Sequence, residues 1–230
     1  MKRELIKTTD GSSTLHIPEM DEHYHSVHGA VTESNHVFIQ NGLNHHFIPE
    51  PVVFEVGFGT GLNALLTAFW AETENRPVFY MTIEKHVLDP DLIQKLNYGR
   101  LMGGKGEEMF SAIHACVWNR QEQITPRFKL LKINADFIGA DWKLPQRYHV
   151  VYFDAFGPDK QPEMWGQDSF FRIYEGMEPG GVFVTYSAKG AVRRRLIVAG
   201  FDVQRISGPP GKKEMLRGIK LLSKVSMKKK

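Results

Sequence analysis

The chain has one cysteine, Cys116, so it can form no internal disulfide and no cysteine-rich zinc site. Such sparse cysteine usage fits a cytoplasmic setting. No apolar run approaches the ~20 residues that a membrane-crossing helix needs. The charged start Met1-Lys2-Arg3-Glu4 is followed by no apolar core of the kind a secretion signal carries. The expectation is a protein without a membrane partner. Internal repeats and low-complexity linkers are also missing. What remains is ordinary for one globular α/β unit with a modest extension: 230 residues, 42% hydrophobic, 24% charged.

Net charge is a mere +3, but it is unevenly spread. Residues 189–230 hold 13 Lys/Arg against Asp202 and Glu214, a net +11, which leaves −8 on residues 1–188. A basic end on an acidic body suggests a polyanionic partner, because phosphate contacts supply most nucleic-acid affinity. The plainer alternative is a solvated tail ending in Lys228-Lys229-Lys230.

The strongest local signal is Glu55-Val56-Gly57-Phe58-Gly59-Thr60-Gly61, between the apolar run Pro51-Val52-Val53-Phe54 and the helical pattern from Leu62 to Phe69. Strand, glycine turn and helix follow in that order. Glycines permit positive φ and leave no Cβ between chain and ligand. A dinucleotide fingerprint would place its third glycine one residue later, where Leu62 stands. The early Gly61 and the preceding Glu55 match instead the pattern of S-adenosylmethionine (AdoMet) methyltransferases. The alternative is a tight turn without a ligand.

Along the rest of the chain, Leu5–Ile17 alternates around Asp10-Gly11 as a hairpin, and Val27–Ile39 reads as a short helix ending near Asn41-Gly42. Strands are expected at Val52–Val56, Val78–Glu84, Phe128–Asn134, His149–Asp154, Gly181–Ser187, Phe201–Ile206 and Glu214–Leu222. Helices are expected at Gly61–Thr73, Asp89–Leu96, Glu107–Trp118, Ser169–Met177 and Ala191–Ala199. The alternation implies a mostly parallel sheet with helices on both faces. The division expected is an N-terminal extension over 1–50, the main domain over 51–225 and a basic tail over 226–230.

Four acids fall where apolar strands stop: Glu55, Glu84, Asp136 and Asp154. Ligands of parallel sheets bind at that edge. Glu84, 23 positions after Gly61, suits a pair of ribose hydroxyls, or else a surface or capping role. Asp136 can accept from an adenine amino group with Phe137 flanking the ring, or cap the next helix. Asp154 ends the buried run Val150-Val151-Tyr152-Phe153. A carboxylate there can take the proton of an amine and orient its lone pair, with burial raising its pKa. The alternative is a turn cap.

The sequence resembles the methyltransferase half of the bifunctional bacterial tRNA-modifying enzymes that make 5-methylaminomethyl-2-thiouridine (MnmC-type). The stretches that carry the likeness are Glu33-Ser34 with Val37-Phe38 and Asn41-Gly42-Leu43, then Glu55 to Asn63, then Asp154-Ala155-Phe156-Gly157-Pro158-Asp159-Lys160-Gln161-Pro162-Glu163-Met164-Trp165, and last Ala199 to Val203 with Lys212 to Leu216. The resemblance implies a class I AdoMet-dependent, Rossmann-like fold. It also implies methylation of the exocyclic amine of 5-aminomethyl-(2-thio)uridine at the tRNA wobble position. Carried over, Glu55, Gly57, Phe58, Gly59, Gly61, Asn63, Glu84, Asp136 and Asp154 would form the AdoMet pocket, with Asp154 as the catalytic group. Ser34, Phe156, Pro158, Lys160 and Trp165 would meet the substrate, the last two near its entrance. Arg193, Arg194, Lys212 and Lys213 would contact RNA. Bifunctional relatives continue into a flavin-dependent oxidase, so here an oxidase or other amine-generating enzyme is expected as a separate partner.

Two other functions compete: a small-molecule amine methyltransferase, and a non-catalytic RNA-binding module on the same fold. The histidines 23, 25, 28, 36, 45 and 46 crowd the N-terminal region. Loop histidines seldom give the fixed geometry of a metal site, so no metal is expected. With Tyr24 they can instead line a pocket for an unstacked base. Cys116 reads as an inert apolar residue.

Overall fold

The computed structural model describes residues 2–45, 47–139 and 142–222; the expected tail at 226–230 and His46 lie outside the described residues. The chain opens with β1 (Glu4–Lys7) and β2 (Ser13–Ile17), an antiparallel pair, extended by the short β3 (Glu22–His23). Helix α1 (Ala30–Ser34) runs on as a π-helical stretch over Asn35–Gln40. The Val27–Ile39 expectation therefore captures a helical segment but not its widened turn.

The main sheet begins at β4 (Val52–Val56), followed by α2 (Leu62–Thr73) and β5 (Val78–Glu84). Short helices α3 (Pro90–Ile93) and α4 (Tyr98–Met102) lead to α5 (Gly106–Ala115). Strands β6 (Gln121–Thr125) and β7 (Phe128–Asn134) form a hairpin, and β8 (Tyr148–Phe153) returns to the sheet centre. Then come α6 (Gln167–Gly176), β9 (Met177–Thr185), α7 (Gly190–Ala199), β10 (Phe201–Ser207) and β11 (Glu214–Lys220). Among the described residues these eight strands run in the order β10-β11-β9-β8-β4-β5-β7-β6. The inner pairs β8/β9, β4/β8, β4/β5 and β5/β7 are parallel; both edges are antiparallel.

Alternation along the inner strands builds two cores, since successive side chains point to opposite faces. Val53, Tyr80, Val150, Tyr152 and Val184 pack with Leu62 and Leu65 of α2 and Ile113 of α5. Phe54, Met81, Val151, Phe153 and Phe183 pack with Phe170 of α6 and Leu196 of α7. Burying one such side chain contributes roughly 1.5–3 kcal/mol, so the inner strands form a rigid floor.

From β4 the chain steps to β5 and β7 on one side and to β8 and β9 on the other. That makes the carboxyl ends of β4 and β8 a topological switch point, where a crevice opens. Glu55 and Gly57 lie at one end, and Asp154 follows the other.

Candidate active site

The turn after β4 is tight because a neighbouring backbone lies against it. Gly57 has φ +95°, and a Cβ there would stand 2.8 Å from the carbonyl oxygen of Asp154. Gly61 has φ +74°, and its Cβ would meet His114 Nε2 at 2.8 Å. Side chains rarely adopt that region, so both positions require glycine. Glu84, at the end of β5, fastens the turn: Gly59 N donates to its Oε2 at 3.1 Å, and His86 N donates to Oε1 at 2.6 Å.

Two cavities meet here. The first, about 200 Å³, is bounded by the glycine turn, Glu84, Asp136, Phe137 and Asp154. The second, about 340 Å³, runs past Glu33, Tyr186 and Lys212. Tyr24, His25, Asp154, Ala155 and Phe156 line both. The Tyr24 and Phe156 rings meet edge to face at 5.1 Å and form the partition. A third, open recess lies outside, lined by Pro158, Lys160, Lys189, Lys212 and Lys213 among others.

Asp154 is the group common to both inner cavities. Asn63 Nδ2 donates to its Oδ2 at 2.8 Å and to Glu55 Oε1 at 3.0 Å, so one amide holds two carboxylates. Thr82 Oγ1 donates to the other Glu55 oxygen at 2.8 Å. Burial, then repulsion from Glu33, pushes the Asp154 carboxyl up to about 7, against the pull of the Asn63 hydrogen bond and Lys212. Burial and the Asp154 charge push Glu55 up to about 8. A carboxyl near 7 divides its population between acid and base at neutral pH, as a group that exchanges a proton requires. Burial also holds His25 down to about 4, so its ring is neutral while its Nε2 shares a 2.8 Å hydrogen bond with Thr60 Oγ1.

The residues fit an AdoMet-type ligand. The glycine turn leaves a cradle that side chains would fill: a Cβ on Gly59 would stand 3.1 Å from the Tyr24 ring. Glu84 offers a half-buried carboxylate to hydroxyl donors. Asn63 Oδ1 is buried with no hydrogen-bond partner among the described residues. Along the lining of the first cavity the carboxylates Glu84, Asp136, Asp154 and Glu163 outnumber the cations Arg3 and Lys85, which suits a sulfonium and an ammonium.

Of the residues expected at the cofactor, Gly57, Phe58, Gly59, Glu84, Asp136 and Asp154 line the first cavity. Glu55, Gly61 and Asn63 lie behind its wall and shape it from there. Both Asp136 oxygens have partners: Lys85 Nζ at 2.8 Å and Ile138 N at 2.9 Å. Phe137 is stacked on Trp142. Of the expected substrate residues, Phe156 lines the inner cavities, and Pro158 and Lys160 the outer recess. Trp165 is a correction: it is fully buried and not at an entrance, because its Nε1 donates to Phe156 O at 2.8 Å and its ring packs on Phe153. Ser34 is likewise buried away from the cavities, its Oγ unpartnered among the described residues. Lys212 lines both the inner cavity and the outer recess, and it pairs with Glu33 at 2.7 Å. Lys213 lines the outer recess; Arg193 and Arg194 sit on α7, which starts at that recess, but line none of these three cavities. Sequence reasoning missed Tyr186, whose Oη donates to Ala155 O at 2.8 Å and whose ring lies 3.9 Å from Lys212 Nζ. Its position immediately after a buried strand, on the same edge as the four acids, is the signal that marks it.

Residues 109–221 match a family model described as S-adenosyl-L-methionine-dependent methyltransferase. The tRNA 5-methylaminomethyl-2-thiouridine biosynthesis bifunctional protein MnmC of Burkholderia multivorans is 30% identical over 220 residues, 89% of this chain and 33% of that protein. Its counterpart in Burkholderia mallei is 30% identical over 231 residues, 93% of this chain and 35% of that protein. The chain thus spans about a third of the length of these curated relatives. The crystal structure of MNMC2 from Aquifex aeolicus superposes with a TM-score of 0.78 at 25% identity, over 94% of this chain and 69% of that one. With the switch-point crevice, the glycine turn and the acids at the strand ends, these matches identify the chain as a class I AdoMet-dependent methyltransferase, similar to the methyltransferase portion of the MnmC-type proteins.

Proposed function

We propose that this methyltransferase transfers the AdoMet methyl group to the exocyclic amine of 5-aminomethyl-(2-thio)uridine at the wobble position of tRNA. The observation that carries this reading is the place of Asp154, shared between a glycine-walled cavity and an aromatic-walled one. The first takes the cofactor and the second an unstacked base, as base-modifying enzymes require.

Bound AdoMet supplies a methyl group on a sulfonium; transfer to an amine nitrogen breaks the methyl–sulfur bond, leaves the electron pair on sulfur and releases one proton from nitrogen. Glu84 holds the ribose hydroxyls while keeping the glycine turn in place. Asp136 faces the adenine end. Asp154 accepts the ammonium proton, frees the nitrogen lone pair and orients it. Asn63 and Glu55 fix the Asp154 carboxylate from behind, and such positioning lowers a barrier by several kcal/mol. Tyr24 and Phe156, at the partition, wall the second cavity on the side where the base meets the cofactor. The outer recess with Lys160, Lys189 and Lys213, continued by Arg193 and Arg194 on α7, takes phosphates without reading sequence. In this reading residues 1–50 roof the pocket, and 51–225 carry the chemistry.

The test is to incubate the chain with AdoMet and tRNA bearing 5-aminomethyl-2-thiouridine, then analyse nucleosides by mass spectrometry. A gain of one methyl on that nucleoside is expected. Methylation of small amines with untouched tRNA overturns the proposal.

A further inference from the structure

The inner cavity holds an ion pair that the chemistry above does not use. Glu33 is 7% exposed, and its two carboxylate oxygens each accept one hydrogen bond. Lys212 Nζ donates to Oε1 at 2.7 Å, and Ser26 N donates to Oε2 at 2.7 Å. A carboxylate oxygen has a second lone pair, and an ammonium has three donors. One Lys212 donor goes to Glu33, and the ammonium also rests 3.9 Å from the Tyr186 ring centre. Acceptor and donor capacity therefore remain, side by side, on a wall that also carries Asp154. Glu33 is buried while the Lys212 side chain is 36% exposed, and such an ion pair adds little stability over an apolar pair of the same shape. An apolar pair would join α1 to the β10–β11 loop equally well, but it would present no polarity to the cavity.

We infer that Glu33 and Lys212 read the pairing edge of a uracil ring: Lys212 Nζ donates to O4 and Glu33 accepts from N3–H. The inference rests on the acceptor being a 5-aminomethyluridine. Around that ring the aminomethyl arm on C5, the C4 carbonyl and N3–H are consecutive. Asp154, Lys212 and Glu33 supply the matching sequence: a proton acceptor for the amine, a donor for the carbonyl, an acceptor for the imide. Tyr24, Phe156 and Tyr186 offer ring faces for stacking. Cytosine presents the reverse order, a donor amine at C4 and an acceptor at N3. Against this pair it sets donor on donor and acceptor on acceptor, and a site built to hydrogen-bond one pattern rejects its reverse strongly.

The experiment compares three anticodon stem-loop RNAs on the full chain with AdoMet, carrying 5-aminomethyluridine, its N3-methyl analogue or 5-aminomethylcytidine at the wobble position. Expected is a kcat/KM at least about tenfold higher for the uridine than for either other RNA. Equal kcat/KM for the uridine and its N3-methyl analogue overturns the inference and leaves the proposed function standing. No methylation of the uridine RNA overturns both. The Glu33→Gln variant adds a second reading. Its amide still accepts from Ser26 N and can serve either edge, so the preference for uridine over cytidine should fall about tenfold while AdoMet affinity by calorimetry stays unchanged. A merely structural Glu33 would lower both rates together and leave their ratio fixed, and that result also overturns the inference.

Discussion

Replacing Glu55 by glutamine removes a charge from the most secluded acid of the site and should stabilise the ligand-free protein at alkaline pH. The side chain is fully buried, and its two oxygens accept from Asn63 and Thr82. Burial and the neighbouring Asp154 raise its pKa from the ordinary 4.5 to about 8. Below 4.5 the acid is protonated in both folded and unfolded chains, and its contribution is fully present. Between that value and about 8 the unfolded chain releases a proton that the folded chain keeps, so stability falls as pH rises. Above about 8 both states are ionised and the loss is complete. At about 1.4 kcal/mol per unit, the loss is on the order of 5 kcal/mol. Glutamine keeps the shape, and its amide can donate to the Thr82 hydroxyl, which rotates to accept. Tyr80 Oη, buried without a partner among the described residues, adds polar company nearby. Urea unfolding of both proteins from pH 5 to pH 9 without AdoMet is the assay. The variant should be close to the parent at pH 5 and more stable by a few kcal/mol at pH 9. Parallel stability curves for the two proteins would refute the argument, because they would mean that Glu55 folds in its charged form at no penalty.

Asp154→Asn should leave AdoMet affinity nearly unchanged and cut turnover by roughly 10²-fold or more, the scale of a lost acid–base group; near-normal turnover in a methyl-transfer assay would remove Asp154 from the chemistry. In the parent protein the rate should rise with pH through about 7 and then level, because Asp154 works in its ionised form and its carboxyl is pushed up to about 7. A flat profile across pH 6–8 would contradict that role. Glu84→Ala should weaken AdoMet binding by ~1–3 kcal/mol in calorimetry, by loss of hydrogen bonds to a charged acceptor and of the clasp on Gly59 N. Gly61→Ala places a methyl 2.8 Å from His114 Nε2 at a φ of +74° and should destabilise the fold by about 1–3 kcal/mol, read as a lower thermal midpoint.

The inner strands were legible because each is an apolar run closed by a polar residue. Val52–Val56, Val78–Glu84 and Phe128–Asn134 match β4, β5 and β7 residue for residue. β6 escaped because Gln121-Glu122-Gln123-Ile124-Thr125 is an edge strand whose pairing with β7 needs no apolar face. β9 starts four residues before the expected Gly181, since Pro179-Gly180 reads as a turn yet is absorbed where the β8/β9 register shifts. The acids at the sheet edge were legible for the same reason as the strands. The surroundings of Lys212 were not. Sequence displays its charge but not its partner, and only the fold brings Glu33 to it. Trp165 looked exposed among Pro162, Lys160 and Gly166; a buried indole is tolerated there because its N–H finds the Phe156 carbonyl.

Glu33 and Lys212 are separated by 179 positions, one near the start of the chain and one close to its last strand. A ribosome emits the acid long before the base. Until β11 emerges, a nascent chain that packed α1 early would carry an unbalanced carboxylate in its interior, which disfavours early docking of that helix. Fragments that stop before the β10–β11 loop therefore lack the lysine that balances Glu33 on the wall of the aromatic chamber.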